Sequence, residues 1–145
     1  MKTIKQFIKE NPKEVHCVKA EDSVIDALKL MAKVNIGAVI VKSGNQLSGI
    51  FSERDYARKV VLMGKNSTQS LVSEIMTPKV ITVSPHQKID DCMKIMSDHR
   101  IRHLPIIDNE NIVGIISIGD VVKEMIKTQK NKIIHNQIIG IVIMI

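Results

Sequence analysis

The sequence contains two copies of one pattern, 65 residues apart, and this repeat constrains the fold more than any other feature. Residues 15–61 align with residues 80–126 without a gap. The agreement is densest at the end of each copy, where Gly49–Asp55 (GIFSERD) matches Gly114–Asp120 (GIISIGD). Two copies are too few for a stacked repeat array, which needs at least three. We therefore expect a pair of units related by a pseudo-twofold axis, with equivalent clefts where the units meet.

Composition fits a small globular protein whose core is aliphatic. Apolar residues make up 44% of the 145, charged residues 25% and aromatic residues only 2%. A unit of roughly 55 residues buries too little surface to be stable alone, so each copy should depend on the other. The net charge of +6 allows either a nucleic-acid partner or a phosphate-bearing ligand. Single-strand binders use aromatic side chains to stack bases, so nucleic acid is kept only as an alternative.

Two lone cysteines and an apolar C-terminal stretch bear on the cellular setting. Cys17 and Cys92 have no CxxC spacing and no secretory signal precedes them, so we expect reduced thiols in a cytoplasmic protein. Residues 133–145 are mostly Ile, Val and Met, but a membrane-spanning helix needs about 20 apolar residues. We expect no membrane insertion. The stretch should pack on a partner subunit or form a poorly ordered tail.

Hydrophobic periodicity predicts a mixed α/β (α+β) fold in which each copy is a β-α-β-β-α unit, with a short N-terminal helix before the first. The predicted elements of the first copy are strand 15–18, a helix capped by Asp22 or Ser23, strands 37–41 and 47–51, and helix 52–63. Those of the second are a strand from 80, a helix from Ser84-Pro85, strands 104–107 and 112–116, and a helix from Ser117. The predicted domains are the N-terminal helix 1–11, the first repeat 12–66, a linker 67–77, the second repeat 78–128 and an apolar tail 129–145.

The junction motif Gly-x-x-Ser-x-x-Asp is the strongest candidate for a binding site. Its serine falls at a helix N-cap, where free N–H groups favour an anion, and its aspartate follows one turn later. A carboxylate there can accept both hydrogens of a ribose diol. Arg54, Arg102 and His103, with Arg100 behind them, could neutralise phosphate. The competing interpretation is a capping box, which stabilises a helix without any ligand; the two roles can coexist.

The other polar side chains suggest less. We expect Lys9, Lys13, Lys29, Lys33, Lys59 and Lys65 to form solvated faces. His16 beside Cys17 lacks a second Cys/His pair at ligand spacing, so no metal site is predicted. No phosphate-binding P-loop and no nucleophile–base pair are found, so an enzyme, such as a nucleotide hydrolase, is not the main hypothesis.

At this point the residues resemble a known family. Each copy is similar to a cystathionine-β-synthase (CBS) domain, and the chain resembles a standalone tandem CBS pair, or Bateman module. The resemblance covers roughly residues 10–128. It is carried by the repeat, the two junction motifs, EIMTPKVITVSP at Glu74–Pro85 and HRIRHLPIID at His99–Asp108.

The resemblance implies a regulatory module that binds an adenosine ligand (AMP, ADP, ATP, NAD(H) or S-adenosylmethionine) in the clefts between its units. It implies a homodimer, formed through helices that include those after Ser52 and Ser117, and a regulated partner protein acted on in trans. The family's aspartate would take the ribose hydroxyls, the serine would approach ribose or phosphate, the first strand would line the adenine pocket, and the basic pair before Leu-Pro would face phosphate. Carried onto this sequence, the nucleotide-binding residues are His16, Cys17, Val18, Ser52, Arg54, Asp55, Ile81, Thr82, Val83, Arg102, His103, Leu104, Pro105, Ser117 and Asp120.

The two copies are not identical at these positions. Where the second copy has Arg102–Pro105 (RHLP), the first has Gly37–Ile40 (GAVI), although Arg54 stands beside Asp55. The two clefts should therefore differ in affinity. A purely structural adaptor dimer, whose Ser/Asp pairs are only helix caps, remains the second alternative beside nucleic-acid binding.

Overall fold

The computed structural model describes residues 2–128 and 132–145, apart from the side chains of 132–135. The chain folds into two units: the first is Val15–Val80, and the second joins Met1–Glu14 to Ile81–Ile145. The elements in chain order are α1 (Ile4–Glu10), β1 (Cys17–Lys19), α2 (Val24–Val34), β2 (Ala38–Ser43), β3 (Gln46–Ser52), α3 (Glu53–Asp55), a π-helix (Tyr56–Val61), α4 (Val72–Ile75), α5 (Ile89–His99), β4 (His103–Asp108), β5 (Asn111–Ser117), α6 (Ile118–Thr128) and α7 (Lys132–Met144). The mixed α/β class, with a helix before the first repeat, is confirmed.

The two sheets share one register, which shows that the sequence repeat is also a structural repeat. In the first unit β1 runs parallel to β2, and β2 pairs antiparallel with β3. The β2–β3 hairpin begins at the pair Ala38–Ser52 and has a bulge after Val41. In the second unit the β4–β5 hairpin begins at the equivalent pair His103–Ser117 and has its bulge after Ile106. Each serine of the junction motif is therefore the last residue of a β-strand.

The second copy departs from prediction in its first strand. The strand expected from residue 80 is reduced to a single parallel bridge between Val83 and Ile106. In the first unit the ladder continues with Ala20 N donating to Lys42 O at 2.9 Å. The residue equivalent to Ala20 is Pro85, and β4 has Pro105 at the position equivalent to Ile40, which pairs with Cys17 in the first unit. Proline has no N–H, so both residues remove a donor from this side of the ladder.

Helices α2 and α5 are equivalent and bury their apolar faces on the sheets. Ser23 caps α2, with its Oγ accepting from Asp26 N at 3.2 Å, as one of the two predicted caps. Helix α5 begins at Ile89, because residues 84–88 form a turn in which the Ser84 N–H donates to the side chain of Gln87. The prediction that Ser84-Pro85 begins this helix was therefore wrong.

The helix predicted over residues 52–63 is divided. One α-helical turn, α3, is followed by a π-helix over Tyr56–Val61, in which Leu62 N donates to Ala57 O at 3.1 Å. The segment ends at Gly64, whose φ of 66° is the left-handed conformation that glycine adopts at helix ends. The equivalent helix of the second unit, α6, is α-helical over Ile118–Thr128.

The helix before each repeat packs in the unit built on the other repeat. Helix α1 precedes the first copy, yet its Ile4 and Phe7 are buried in the second unit. Helix α4 precedes the second copy, yet its Val72 and Ile75 are fully buried in the first unit. The segment 67–77, expected to be a polar linker, thus contributes apolar side chains to a core.

The two cores use equivalent residues. The shared positions are Val18/Val83, Val24/Ile89, Ala27/Cys92, Met31/Met96, Val39/Leu104, Val41/Ile106 and Phe51/Ile116. Each pair is separated by the repeat length, and all of these side chains are buried. Burial of such side chains, at about 25 cal/mol per Å² of apolar surface, is the main stabilising contribution to each unit.

The apolar C-terminal stretch forms α7, although its first predicted residues, 129–131, lie outside the described ones. Helix α7 packs against α5 and α6 of its own unit. Ile138 and Ile145 are buried in the second unit's core, whereas Ile143 and Met144 are 78% and 73% exposed. In the described part of the chain, the apolar stretch therefore covers the second unit itself.

Candidate functional site

The first junction carboxylate is Asp55, and its two oxygens have different partners. Its Oδ2 accepts hydrogen bonds from Ser52 N and Ser52 Oγ, both at 3.0 Å. In return, Ser52 Oγ accepts from Asp55 N at 3.1 Å. This reciprocal pair is a capping box, and it satisfies backbone donors at the start of α3. The structural interpretation of the Ser/Asp motif is therefore correct for one oxygen.

The other oxygen of Asp55 faces a cation and a hydroxyl. Lys59 Nζ lies 3.0 Å from Oδ1, and Thr77 Oγ1 donates to the same atom at 3.1 Å. Lys59 also donates to the carbonyl of Ile75 at 3.1 Å, which fixes its position. Asp55 is only 8% exposed. In the first unit the junction carboxylate is thus buried and paired with a lysine of its own helical segment.

The second junction repeats the cap but uses a different cation. Asp120 Oδ2 accepts from Ser117 N at 3.0 Å, and Asp120 N donates to Ser117 Oγ at 3.1 Å. Oδ1 accepts from Lys13 Nζ at 2.8 Å, and Lys13 is 62% exposed. Burial alone would raise the pKa of Asp120, but the hydrogen bonds from Lys13 and Ser117 outweigh it and hold the pKa below its ordinary value.

A single sequence difference explains why the two cations differ. The residue equivalent to Lys59 is Glu124, so α6 offers no lysine to Asp120 at that position. Glu124 is itself 2% exposed and is paired with Lys2, whose Nζ lies 2.6 Å from Glu124 Oε1. Lys2 also pairs with Glu10, and these partners raise the pKa of the lysine. Two lysines from the N-terminal segment therefore bind the two carboxylates of α6.

A cavity of about 350 Å³ lies beside Asp120 in the second unit. Its volume is at the lower end of the range typical of small-molecule sites. Residues of α1, of the segment after it and of α6 line the cavity: Phe7, Asn11, Lys13, Asp120, Lys123, Glu124, Ile126 and Lys127. Three of these eight residues are lysines, and Asp120 is the predicted binding residue among them.

The family can be assigned from these repeats. The family model described as the CBS domain matches residues 7–62 and 72–127. The chain belongs to the CBS-domain family. The first match begins inside α1 and the second begins at the start of α4, and each includes the junction carboxylate that follows.

Relatives and solved structures agree with this assignment. The chain is 43% identical over 118 residues to the CBS domain-containing protein CBSX3, mitochondrial, of Arabidopsis thaliana. That alignment covers 78% of this chain but only 57% of the plant protein. A solved structure of a CBS-domain protein from Burkholderia ambifaria has a TM-score of 0.84 and 47% identity, with coverage of 90% of this chain and 98% of that one.

A more distant structure is similar in fold. The CBS domain pair of protein MJ0100, solved in complex with 5′-methylthioadenosine and S-adenosyl-L-methionine, has a TM-score of 0.78. Its identity is 24%, with coverage of 89% of this chain and 99% of that one.

The predicted site residues of the CBS repeats differ in burial: some lie in the cores and others are accessible. The side chains of Val18, Val83, Leu104 and Pro105 are buried. These residues can contribute only backbone or shape to a ligand site. The more accessible predicted residues are His16, Cys17, Ser52, Arg54, Ile81, Thr82, Arg102, His103 and Ser117.

Arg102 lies directly before β4 and is tied to the second junction through its backbone. Its carbonyl accepts a hydrogen bond from Ile118 N at 2.8 Å, at the start of α6. The Arg102–His103 pair thus lies at the strand end that faces the Ser117 cap. The first unit has the same connection between Gly37 O and Glu53 N, at 3.0 Å, but no basic pair there.

Sequence reasoning missed three contacts of the carboxylates. Lys13 and Lys59 were expected to be solvated, whereas each forms an ion pair with a junction aspartate. Thr77 was assigned to the linker, whereas its hydroxyl donates to Asp55. The position of Lys59 four residues after Asp55 is a usable signal, because i,i+4 residues share a helix face.

Two classes of site are not found in the described residues. Among the side chains that the structure describes, those of residues 2–128 and 136–145, no three from His, Cys, Asp or Glu come close enough together to hold a metal ion. Within residues 2–128 and 132–145, no helix has the length and apolar character needed to cross a bilayer.

Proposed function

We propose that this protein is a regulatory module that binds an adenosine nucleotide (AMP, ADP, ATP or NAD(H)) at its junction carboxylates. In this proposal it catalyses no reaction and passes ligand occupancy to a partner protein in trans. A ligand that favours one of two conformations shifts their populations, and a coupling of about 1–3 kcal/mol changes a partner's affinity about 5- to 150-fold.

The two oxygens of each junction carboxylate have different partners, and this difference carries the proposal. In both units Oδ2 accepts from the N–H of the preceding serine at 3.0 Å, while Oδ1 points toward a lysine ammonium. A cap needs only Oδ2, so Oδ1 can exchange its partner for a ribose hydroxyl without loss of the helix start. A carboxylate has about four lone-pair sites, so Oδ1 can also accept a hydroxyl beside the ammonium.

The second unit provides the more complete set of groups. Asp120 would accept the ribose hydroxyls, and Ser117 lies one turn before it. Arg102, directly before β4, and His103, its first residue, would face phosphate, while Ile81 and Thr82 would approach the base. The complex of MJ0100 with 5′-methylthioadenosine and S-adenosyl-L-methionine, both adenosine compounds, supports this ligand class.

A panel of ligands tests the proposal. We expect AMP, ADP, ATP, NAD or NADH to stabilise the folded protein, measured by thermal unfolding. At 100 times its dissociation constant a ligand adds about 2.7 kcal/mol, which raises Tm by about 5–11 °C in a chain of this size. Asp120→Asn should abolish the shift while leaving the circular dichroism spectrum unchanged. If no adenosine compound raises Tm at millimolar concentration, the proposal is wrong.

The burial of Asp55 favours a second function for the first junction. With 8% exposure and donors from Ser52, Thr77 and Lys59, its carboxylate has the contacts expected of a purely structural cap. An adaptor without any nucleotide would have both junctions in this state. The same panel discriminates, because an adaptor would show no ligand-dependent change in either unit.

We further infer that the module is a homodimer. Val61, Leu62 and Met63 follow the first junction and are 56%, 77% and 69% exposed, which is unusual for three consecutive apolar side chains. Leu62→Lys should convert the dimer to a monomer in sedimentation experiments, whereas Lys65→Glu, a nearby charged control, should not. The free thiols of Cys17 and Cys92 fit the reducing cytoplasm proposed as its location.

A further inference from the structure

The two junction carboxylates differ in how firmly their cations are held. Lys59 comes from the same helical segment as Asp55 and is also bonded to the Ile75 carbonyl. Lys13 lies outside any helix or strand, between α1 and β1, and is 62% exposed. An exposed lysine on an irregular segment can change partners without disturbing a helix or a strand. The counter-ion of Asp120 can therefore move, whereas that of Asp55 is fixed.

The cavity beside Asp120 has a positive excess of charge. Lys13, Lys123 and Lys127 line it, against the two carboxylates Asp120 and Glu124. Glu124 is already paired with Lys2. That leaves Asp120 as the one carboxylate of the lining that faces the three lysines, whether or not a ribose hydroxyl binds its Oδ1. A phosphate group on the ligand would supply the missing negative charge.

We propose that Lys13 is the specificity-determining residue of the second unit and that it selects adenosine ligands that carry phosphate. This inference rests on the proposed function and names the ligand class of that same site. An ammonium has three donors, so Lys13 can contact Asp120 Oδ1 and a phosphate oxygen at the same time. The lysine thus links the ribose-binding carboxylate to the phosphate.

The same arrangement disfavours a cationic ligand. S-adenosylmethionine carries a sulfonium centre, an ammonium group and a single carboxylate. Its net charge is therefore positive, and it would add positive charge beside Lys13, Lys123 and Lys127. Like charges at short distance in a partly buried site repel each other. The cavity should therefore bind AMP more tightly than adenosine, and adenosine at least as tightly as S-adenosylmethionine.

Calorimetric titration of the full chain tests the proposal with three probes: AMP, adenosine and S-adenosylmethionine. In the wild-type protein we expect AMP to bind at least tenfold more tightly than adenosine, since hydrogen bonds to charged groups are strong. Lys13→Gln should weaken AMP binding about tenfold and leave adenosine binding unchanged or tighter, because Asp120 loses a competing partner. The AMP-to-adenosine preference should then largely disappear. Lys9→Gln removes the same charge from α1, outside the cavity lining, and should change neither constant.

One further variant keeps the outcome clear. Lys123 lines the same cavity, but the ion pair to Asp120 is made by Lys13. Lys123→Gln should therefore reduce AMP affinity even if Lys13→Gln loosens the N-terminal segment. If the wild type, Lys13→Gln and Lys123→Gln all prefer AMP to adenosine by the same factor, this inference is wrong and the proposed function still stands. The same follows if S-adenosylmethionine binds more tightly than AMP. Failure of all three probes to bind the wild-type protein would overturn the proposed function and this inference together.

Discussion

The same substitution at equivalent glycines of the two repeats should have very different effects. A Cβ added at Gly49 would lie 2.7 Å from the backbone oxygen of Thr77 and 2.7 Å from Met76 Sδ. At Gly114, the nearest atom to an added Cβ is Ile106 Cδ1, at 3.4 Å. A side-chain tip such as Met76 Sδ can move, but a backbone oxygen moves only with its segment. Gly49→Ala therefore forces a shift that Gly114→Ala does not.

The cost follows from what holds Thr77 in place. Thr77 O accepts from Ile50 N at 3.0 Å, and Thr77 N donates to Ile50 O at 2.8 Å. Overpacking typically costs about 1–3 kcal/mol, and weakening one of these hydrogen bonds adds about 1 kcal/mol. Gly49→Ala should thus reduce the free energy of unfolding by about 2–4 kcal/mol. Gly114→Ala removes backbone entropy from the unfolded strand and should lie between zero and about 1 kcal/mol of stabilisation.

Urea denaturation followed by circular dichroism measures both variants against the wild type. Gly49→Ala should also weaken the contact between Thr77 and Asp55, because Thr77 moves with the displaced segment. The reasoning is refuted if the two variants differ by less than about 1 kcal/mol, or if Gly114→Ala is the more destabilised one.

Three further outcomes are expected. Leu104→Ala, at a fully buried position, should cost about 2–5 kcal/mol of unfolding free energy in the same assay; a loss below 1 kcal/mol would show that the second core is misdescribed. Burial, with two neighbouring carboxylates, raises the pKa of Cys92 to about 12, so iodoacetamide at pH 8 should label Cys17 first and Cys92 only after unfolding; rapid labelling of folded Cys92 would contradict this. The folded-state pKa of Asp120 lies below its ordinary 3.8, so the stability it contributes is complete above about pH 4 and is lost as pH falls through the lowered pKa. Lys13→Gln should raise that pKa in an NMR titration, because burial is then less opposed; an unchanged pKa would show that the ion pair does not form in solution.

Hydrophobic periodicity predicted the strands of the hairpins, and the repeat predicted that the second hairpin would match the first. Because residues 15–61 and 80–126 align without a gap, equivalent core positions such as Met31/Met96 and the bulges after Val41 and Ile106 follow one pattern. Hydrophobic periodicity is a local property, and it predicts elements whose stability is also local.

The exchange of helices could not be predicted in that way. Helices α1 and α4 each pack in the unit of the other repeat, and no local pattern tells which core a short amphipathic helix will join. By contrast, the sequence explains why the second copy lacks a continuous first strand. Pro85 and Pro105 both lack the N–H that a continued ladder requires.

At the candidate site, sequence reasoning found the carboxylates but not their cations. The Ser/Asp pairs recur at one junction type, so both Asp55 and Asp120 could be recognised. Lys13 is more than a hundred residues from Asp120 in the chain and reaches it only because α1 packs in the second unit. Contacts of this kind depend on tertiary packing, which spacing along the chain does not contain.

The ribose-binding role of the junction carboxylate is tested most directly by removing the hydroxyls from the ligand. Binding of AMP and of 2′,3′-dideoxy-AMP is compared by calorimetry in the wild-type protein and in Asp120→Asn. Loss of hydrogen bonds to a carboxylate should weaken the dideoxy compound at least tenfold in the wild type, and Asp120→Asn should remove most of that difference. Equal affinity of the two ligands for the wild-type protein, or an undiminished difference in the variant, would show that Asp120 does not hold the ribose.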